Sequence, residues 1–395
     1  MMFISSKQKL VGAWHATALA MLVTAGASHA LGAQSRPDSI TGAPFPYAIP
    51  EAVGVQSADV ESLARDVRGW VEGDHIVGGE LLIVKDRHII FHEAWGWSDR
   101  ELEIPLERNS IYRIRSMTKP FVGTAVLMLV EKGRLSLDDR VADILPSFDN
   151  ERSGAITVRQ LLAHNTGHRQ GAYPPGYWET GNLRDAVDLI GEMGAPNAPG
   201  SGYRYSDLNS ATLGAIVVEL TGMRVEEYLA DHIFAPLELE DTHTFFEPGV
   251  SWASRMNSTY SRREEGWGKY WDNTMPQQTP FFRASGGIYT TVFDYAKWLT
   301  VFMDRGAYDG GRLLSEETVV EALSASESER YGYHWEVYRA AGAGDDLPAF
   351  GHSGSDGTMA MAIPRHDVMV LYFTQSRGQQ TIMLYENKVL MLFEP

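Results

Sequence analysis

Ser116-Met-Thr-Lys119-Pro-Phe-Val-Gly-Thr-Ala-Val-Leu-Met-Leu-Val-Glu-Lys-Gly133 sets a serine and a lysine three residues apart at the entrance to an apolar run. Apolar residues recur at helical spacing, Pro120 suits a first turn and Gly133 supplies a stop, so the run is predicted as a helix with Ser116 at or near its N-terminus. The i,i+3 spacing puts both polar side chains on one face, with the amine in reach of the hydroxyl. The positive end of the helix dipole disfavours the charged amine, and a lysine so placed can accept a proton. A second Ser-x-x-Lys, Ser6 to Lys9, shows that the pattern alone is weak. Its bland reading is a capping serine followed by a solvated lysine.

The segments on either side give the pair a setting. Upstream, Gly79 to Gly96 reads as two strands around an Asp86-Arg87 turn, an antiparallel hairpin ahead of the serine. Downstream, Gly154 to Gly222 is mainly helical: Thr157-Val-Arg-Gln160 is a capping box, and Leu208 to Leu220 is an amphipathic helix stopped by Gly222. Residues 241 to 283 read as a long irregular connection dense in aromatic rings, serving either a substrate wall or a core. A helix from Val292 to Asp304 follows, then strands at Tyr333–Tyr338, Thr358–Pro364 and Asp367–Thr374, the last two a hairpin, and a closing helix Thr381–Phe393. Strands at both ends with helices between predict an α+β sandwich. An antiparallel sheet built from both termini (31–120 and 285–395) and flanked by helices would carry an inserted helical lobe (121–284), with the active site in the cleft between them.

Residues 1–30 have the form of a secretory signal: basic Lys7 and Lys9, an apolar stretch from Leu10 to Ala25, and small residues at Ala27-Ser-His-Ala30. The mature chain is then expected to begin near Leu31, in a bacterial periplasm or the medium; the rival reading is an uncleaved anchor. The chain has no cysteine, which removes disulfides, thiolate catalysis and cysteine-ligated metals. No cofactor or metal is expected. With 395 residues, 44% of them hydrophobic, there is material for a large core, and no later apolar span is long enough to cross a bilayer. A formal charge of −17 opposes nucleic acid and anionic lipid and leaves small molecules or peptides as targets. No motif speaks to oligomeric state.

Two further motifs fall where this architecture needs them. Tyr205-Ser206-Asp207 opens the Leu208 helix, and Gly351-His352-Ser353-Gly354-Ser355 precedes the C-terminal hairpin. With Ser116-x-x-Lys119 they stand in the order Ser-x-x-Lys, Tyr-x-Asn, Lys-Thr-Gly or His-x-Gly. In this the chain resembles the serine β-lactamases and penicillin-binding proteins, in the branch of class C β-lactamases, D-Ala-D-Ala carboxypeptidases and family VIII esterases. The likeness runs over roughly residues 50 to 390 and includes Ile156 to Gly167 and Arg204 to Gly214.

The resemblance implies a β-lactamase/transpeptidase-like fold, Ser116 as the acylated nucleophile, and Lys119 with Tyr205 as the proton-transfer pair. An ammonium beside a phenol stabilises phenolate, so a tyrosine whose ordinary pKa is about 10 could serve as a base. Backbone N–H groups of Ser116 and Ser355 would hold the oxyanion, a donor of this kind being worth about 3 kcal/mol. Gly354 would leave room for substrate at the strand edge. His352 would bond a substrate carboxylate or support Tyr205. His164 is expected to pack near the second motif rather than react.

The departure from the pattern is Asp207 in place of asparagine. A carboxylate keeps the contact to Lys119 but cannot donate to a substrate carbonyl, which counts against efficient β-lactam hydrolysis. Two decoys fall away: Gly351–Ser355 ends in serine rather than the glycine of a Gly-x-Ser-x-Gly elbow, and His88 and His92, expected on one strand face, have no third ligand. The expected activity is a metal-free serine hydrolase acting on small-molecule or peptide esters or amides, esterase-like by its aromatic content and Asp207. A D-Ala-D-Ala carboxypeptidase or class C-like β-lactamase is the alternative. A non-catalytic cell-wall or peptide-binding protein is the alternative of another class, and the intact Ser116, Lys119 and Tyr205 oppose it.

Overall fold

The computed structural model describes residues 39–324, 328, 330–338 and 347–393. The expected signal segment, 1–30, lies outside them. Among the described residues no helix is long and apolar enough to cross a membrane. The first hairpin pairs Gly78–Lys85 with His88–Asp99. Its turn residues Asp86 and Arg87 both take left-handed φ (48° and 57°), as a two-residue turn matching the strand twist requires.

This hairpin lies in a seven-stranded sheet, antiparallel throughout. Its spatial order is Glu336–Tyr338, Ala349–Ser353, Met359–Ile363, Val368–Thr374, Gly78–Lys85, His88–Asp99 and Ile104–Pro105. The register from Gly79 opposite Thr374 to Lys85 opposite Val368 fuses the two ends of the chain, as the sequence predicts. Gly78 to Val84 is buried at every position because both faces are covered. Leu81, Ile83 and Val370 meet Val60, Leu63 and Val67 of the helix Ser57–Glu72 and Tyr385 and Val389 of the helix Thr381–Phe393. Leu82, Val84 and Leu371 face the other way, into a larger core with Phe121, Val122 and Leu299. That alternation is the two-residue period of a strand, and each buried leucine contributes about 2 kcal/mol.

The helix that the Ser116-x-x-Lys119 motif opens is Lys119–Glu131, entered through a 3-10 turn Arg115–Thr118, so Ser116 sits in the turn just ahead of it. Every residue from Lys119 to Leu129 is buried, which suits a helix apolar on nearly all sides. The capping box forms, with the Gln160 N–H donating to Thr157 Oγ1 (3.3 Å) and the Thr157 N–H to Gln160 Oε1 (3.1 Å). Ser206 caps the helix Asp207–Thr221, and Gly222 ends it at φ 73°.

Four expectations need correction. Residues 241–283 are not irregular throughout: Thr259–Arg263 and Gly266–Trp271 form a hairpin, with Ser376–Arg377 added as a parallel third strand. Many of the aromatic rings there pack together, and Phe246, Trp271 and Tyr289 build a small core of their own. Ala349–Ser353 is a strand that its glycine and serines conceal, and the strand after Gly332 begins only at Glu336, because His334 turns the chain at φ 61°. His88 and His92 lie on opposite faces. A bulge offsets the pairing from Val84–Ile89 to Ile83–Phe91 and reverses the parity between them, so His92 is buried against Glu80 (2.7 Å) while His88 bonds the Asp86 carbonyl.

Candidate active site

The turn that carries Ser116 is fastened to the chain beside the third motif. The buried Arg115 takes a left-handed φ of 49°, a strained conformation for a side-chain-bearing residue. Its Nε donates to Asp356 Oδ2 (2.5 Å) and its Nη2 to the Tyr270 hydroxyl (3.0 Å), which in turn donates to Asp356 Oδ1 (2.7 Å). A Cβ on Gly354 would stand 2.4 Å from the Ile114 carbonyl oxygen and 2.4 Å from Thr358 Oγ1. The room at Gly354 is therefore occupied by the chain leading into Ser116, not left as open groove. Ser355 is exposed on the same turn.

Lys119 is fully buried, and its Nζ lies 3.3 Å from Ser116 Oγ, 2.7 Å from Asp207 Oδ1 and 3.1 Å from the Ser285 carbonyl oxygen. Burial lowers its pKa to about 8, against the opposing pull of Asp207. Asp207 is also buried. Burial works against its charge, yet the Lys119 and Arg283 cations overcome it and hold the carboxyl well below the usual range. Its second oxygen accepts from Arg283 Nη2 (2.6 Å), Gln170 Nε2 (3.1 Å) and the Tyr173 hydroxyl (3.1 Å). Asp207 thus keeps the expected contact to Lys119, and its remaining acceptor capacity is taken inside the protein.

Tyr205 joins the pair: Lys119 Nζ stands 4.6 Å from its ring centroid, and the neighbouring Ser116 side chain pulls its pKa down. Burial, reinforced by the Asp207 charge, pushes its pKa well above the ordinary value. Burial and the Asp207 charge thus work against the phenolate that the resemblance implies.

His352 is buried with both ring nitrogens satisfied. Nδ1 meets the Ser353 carbonyl (2.7 Å), which can only accept, so Nδ1 carries the proton and Nε2 accepts from the Tyr331 hydroxyl (3.0 Å). Burial lowers its pKa, so the ring is neutral and offers no cation to a substrate carboxylate; it braces Tyr331, whose ring lies edge-on to Tyr205 at 6.0 Å. His164 packs as expected. Its Nδ1 accepts from Asn209 (2.9 Å) and its ring lies 4.6 Å from that of Tyr205. Beside this cluster a cavity of about 410 Å³ opens along the edge strand, lined in part by Tyr203, Tyr331, Glu336, Tyr338, Ser353 and Glu386.

A model of the Beta-lactamase family matches residues 63–391. The chain belongs to that family. A protein of Escherichia coli (strain K12), provisionally named a D-alanyl-D-alanine carboxypeptidase, is 25% identical over 378 residues, covering 84% of this chain and 86% of its own. Penicillin-binding protein 4 of Amycolatopsis lactamdurans is 28% identical over 304 residues, covering 72% and 76%. EstCE1, described as a hydrolase with promiscuous acyltransferase activity, matches in fold with a TM-score of 0.71 at 21% identity, over 86% of this chain and 100% of its own. The β-lactamase/transpeptidase-like fold is thus established, as is a serine β-lactamase-fold hydrolase lineage.

Within this β-lactamase-family scaffold, the sequence reading missed Arg283, Ser285, Gln170 and Tyr173, which surround Asp207 and Lys119. One signal could have found the first. Arg283 follows Pro280-Phe281-Phe282, and an arginine in an apolar stretch needs a buried carboxylate; Asp207 was the motif residue with a charge to spare.

Proposed function

We propose that this chain is an exported serine hydrolase that cleaves small-molecule or peptidic esters, and less readily amides, through an acyl-enzyme on Ser116. The observation that carries the reading is the Ser116 hydroxyl 3.3 Å from the buried Lys119 Nζ, with the Tyr205 ring centroid 4.6 Å from the same amine. Neutral Lys119 takes the serine proton as Oγ bonds to the carbonyl carbon, and the backbone N–H groups of Ser116 and Ser355 receive the oxyanion. Collapse breaks the bond to the leaving group. Tyr205 gives that group its proton and is reprotonated by the Lys119 ammonium, and water then repeats the cycle on the acyl-enzyme. The basic, apolar and small residues of 1–30 support a periplasmic or secreted site of action.

Esterase chemistry is favoured because residue 207 is a carboxylate whose oxygens accept from Lys119 and Arg283, not an amide that can donate to a substrate. Turnover of p-nitrophenyl butyrate, a chromogenic cephalosporin and a D-Ala-D-Ala peptide by the purified protein tests this. Ester hydrolysis is expected to dominate and to vanish in Ser116→Ala. Rapid cephalosporin or peptide turnover with inert esters would reverse the preference, and an unchanged Ser116→Ala rate would remove the nucleophile. A fluorophosphonate adduct on Ser116 by intact mass separates an enzyme from a binder of the same fold.

A further inference from the structure

In the family pattern the asparagine side chain has two ends, one that accepts from the lysine and one that donates to the substrate. Asp207 retains only the first. The carboxylate oxygen on the side away from Lys119 is occupied by Arg283 Nη2 at 2.6 Å. Arg283 Nε is turned inward to Ser285 Oγ at 3.1 Å, and the carbonyl of the same Ser285 accepts from Lys119 at 3.1 Å. The guanidinium is thus tied at two points to the groups that touch the catalytic amine. Among the described residues its Nη1 has no hydrogen-bond partner, and 29% of the side chain is exposed. A planar fork with one edge anchored and the other open is suited to an acceptor oxygen and best suited to a carboxylate, which it can meet with two parallel bonds.

We propose that Arg283 supplies the donor that Asp207 lacks, so that this site selects acyl groups bearing a hydrogen-bond acceptor, neutral or anionic, a few atoms from the scissile carbonyl. The inference rests on the acyl-enzyme reading above and deepens it. The donor is displaced outward from position 207 by the length of the arginine and carries a full charge. The preferred acyl group differs accordingly from a plain alkanoate.

The test compares p-nitrophenyl N-acetylglycinate with p-nitrophenyl pentanoate, acyl chains of equal length of which only the first has an acceptor. Each kcat/KM is divided by the spontaneous hydrolysis rate of the same ester. The native protein is expected to favour the acetylglycinate by roughly tenfold or more, since a site built to hydrogen-bond a substrate group discriminates against its apolar analogue. Arg283→Met is expected to bring the two to parity, and Arg283→Lys, which keeps a cation against Asp207 but not the fork, to an intermediate ratio. If Arg283→Met loses its cooperative melt, the ratio in Arg283→Lys decides. No preference in the native protein, or one unchanged in these variants, overturns the proposal. The fluorophosphonate adduct keeps the two failures apart: an adduct on Ser116 without the preference overturns only the role of Arg283, whereas absence of the adduct overturns the acyl-enzyme reading and this inference with it.

Discussion

Two buried cation–carboxylate pairs flank Ser116, and they have opposite electrostatic outcomes. On one side Arg115 bonds Asp356; burial opposes its charge, but the carboxylate and Tyr270 raise its pKa above an already high value. On the other side Lys119 bonds Asp207 and is lowered to about 8. Both cations are buried and each has a carboxylate at hydrogen-bond distance. The chemistry of the head group is one difference, since guanidinium does not give up its proton in proteins and an ammonium does. The other is how the carboxylate is shared. Asp356 is held by Arg115 and the neutral Tyr270, with Arg377 farther off at 3.9 Å, whereas Asp207 divides its charge between Lys119 at 2.7 Å and Arg283 at 2.6 Å. The first pair fixes the turn that carries Ser116, and the second leaves its lysine able to exchange a proton.

Breaking each pair should therefore fail in a different observable. Lys119→Met is expected to lower kcat/KM for p-nitrophenyl butyrate by about 10²–10⁴-fold, the usual worth of a positioned base. It should change the urea midpoint little, because Asp207 keeps Arg283. A large loss of stability with modest loss of rate would mean that Lys119 is structural. Asp356→Asn is the mirror experiment. It leaves the buried Arg115 without its counter-charge and is expected to cost about 3–5 kcal/mol in urea unfolding. An unshifted midpoint would show that the Arg115 clamp does not hold the turn. Tyr270→Phe removes one hydroxyl bonded to both members of that pair and should cost less, about 2 kcal/mol, as hydrogen bonds to charged groups do.

The two pairs also differ in how far the sequence disclosed them. Ser116, Lys119, Tyr205 and Asp207 were legible as motif residues because local spacing places them: Ser116 and Lys119 at the entry to one helix, Tyr205 and Asp207 on either side of the Ser206 cap of another. The sheet was legible where apolar runs are long, as in Gly78–Lys85 and Val368–Thr374, but not at Ala349–Ser353, where short side chains hide the alternation. Arg115 lies one residue from Ser116 yet its partner is 241 positions away, and Arg283 reaches Asp207 from a segment that reads as a loop. Periodicity encodes neither contact, since both depend on how distant turns meet. The charge states were hidden for the same reason. Tyr205 reads as a base from its neighbours, while its burial works against the phenolate, and only the packed structure specifies that burial.

The smallest effect is also the most direct probe of the shared carboxylate. In the proposed cycle Lys119 must be neutral to accept the serine proton, and its pKa is depressed to about 8, so kcat/KM should be low where the ammonium dominates, rise as the pH passes about 8, and level off above it. The groups facing this amine set where the limb falls. Asp207 and Glu336 raise it, while burial and Arg283 lower it. Tyr205 is protonated, and the nearby His164, His334 and His352 are lowered by burial, so they stay neutral through this range. Asp207→Asn removes the strongest charge holding the proton on Lys119 and should move the limb to lower pH by about one unit or more. Arg283→Met removes the second claimant on Asp207 and should move it to higher pH. Opposite displacements in a pH–rate profile establish that one carboxylate is divided between two cations; a limb that stays in place in both variants would mean that Lys119 is poised by burial alone, and that the second pair differs from the first only in the head group of its cation.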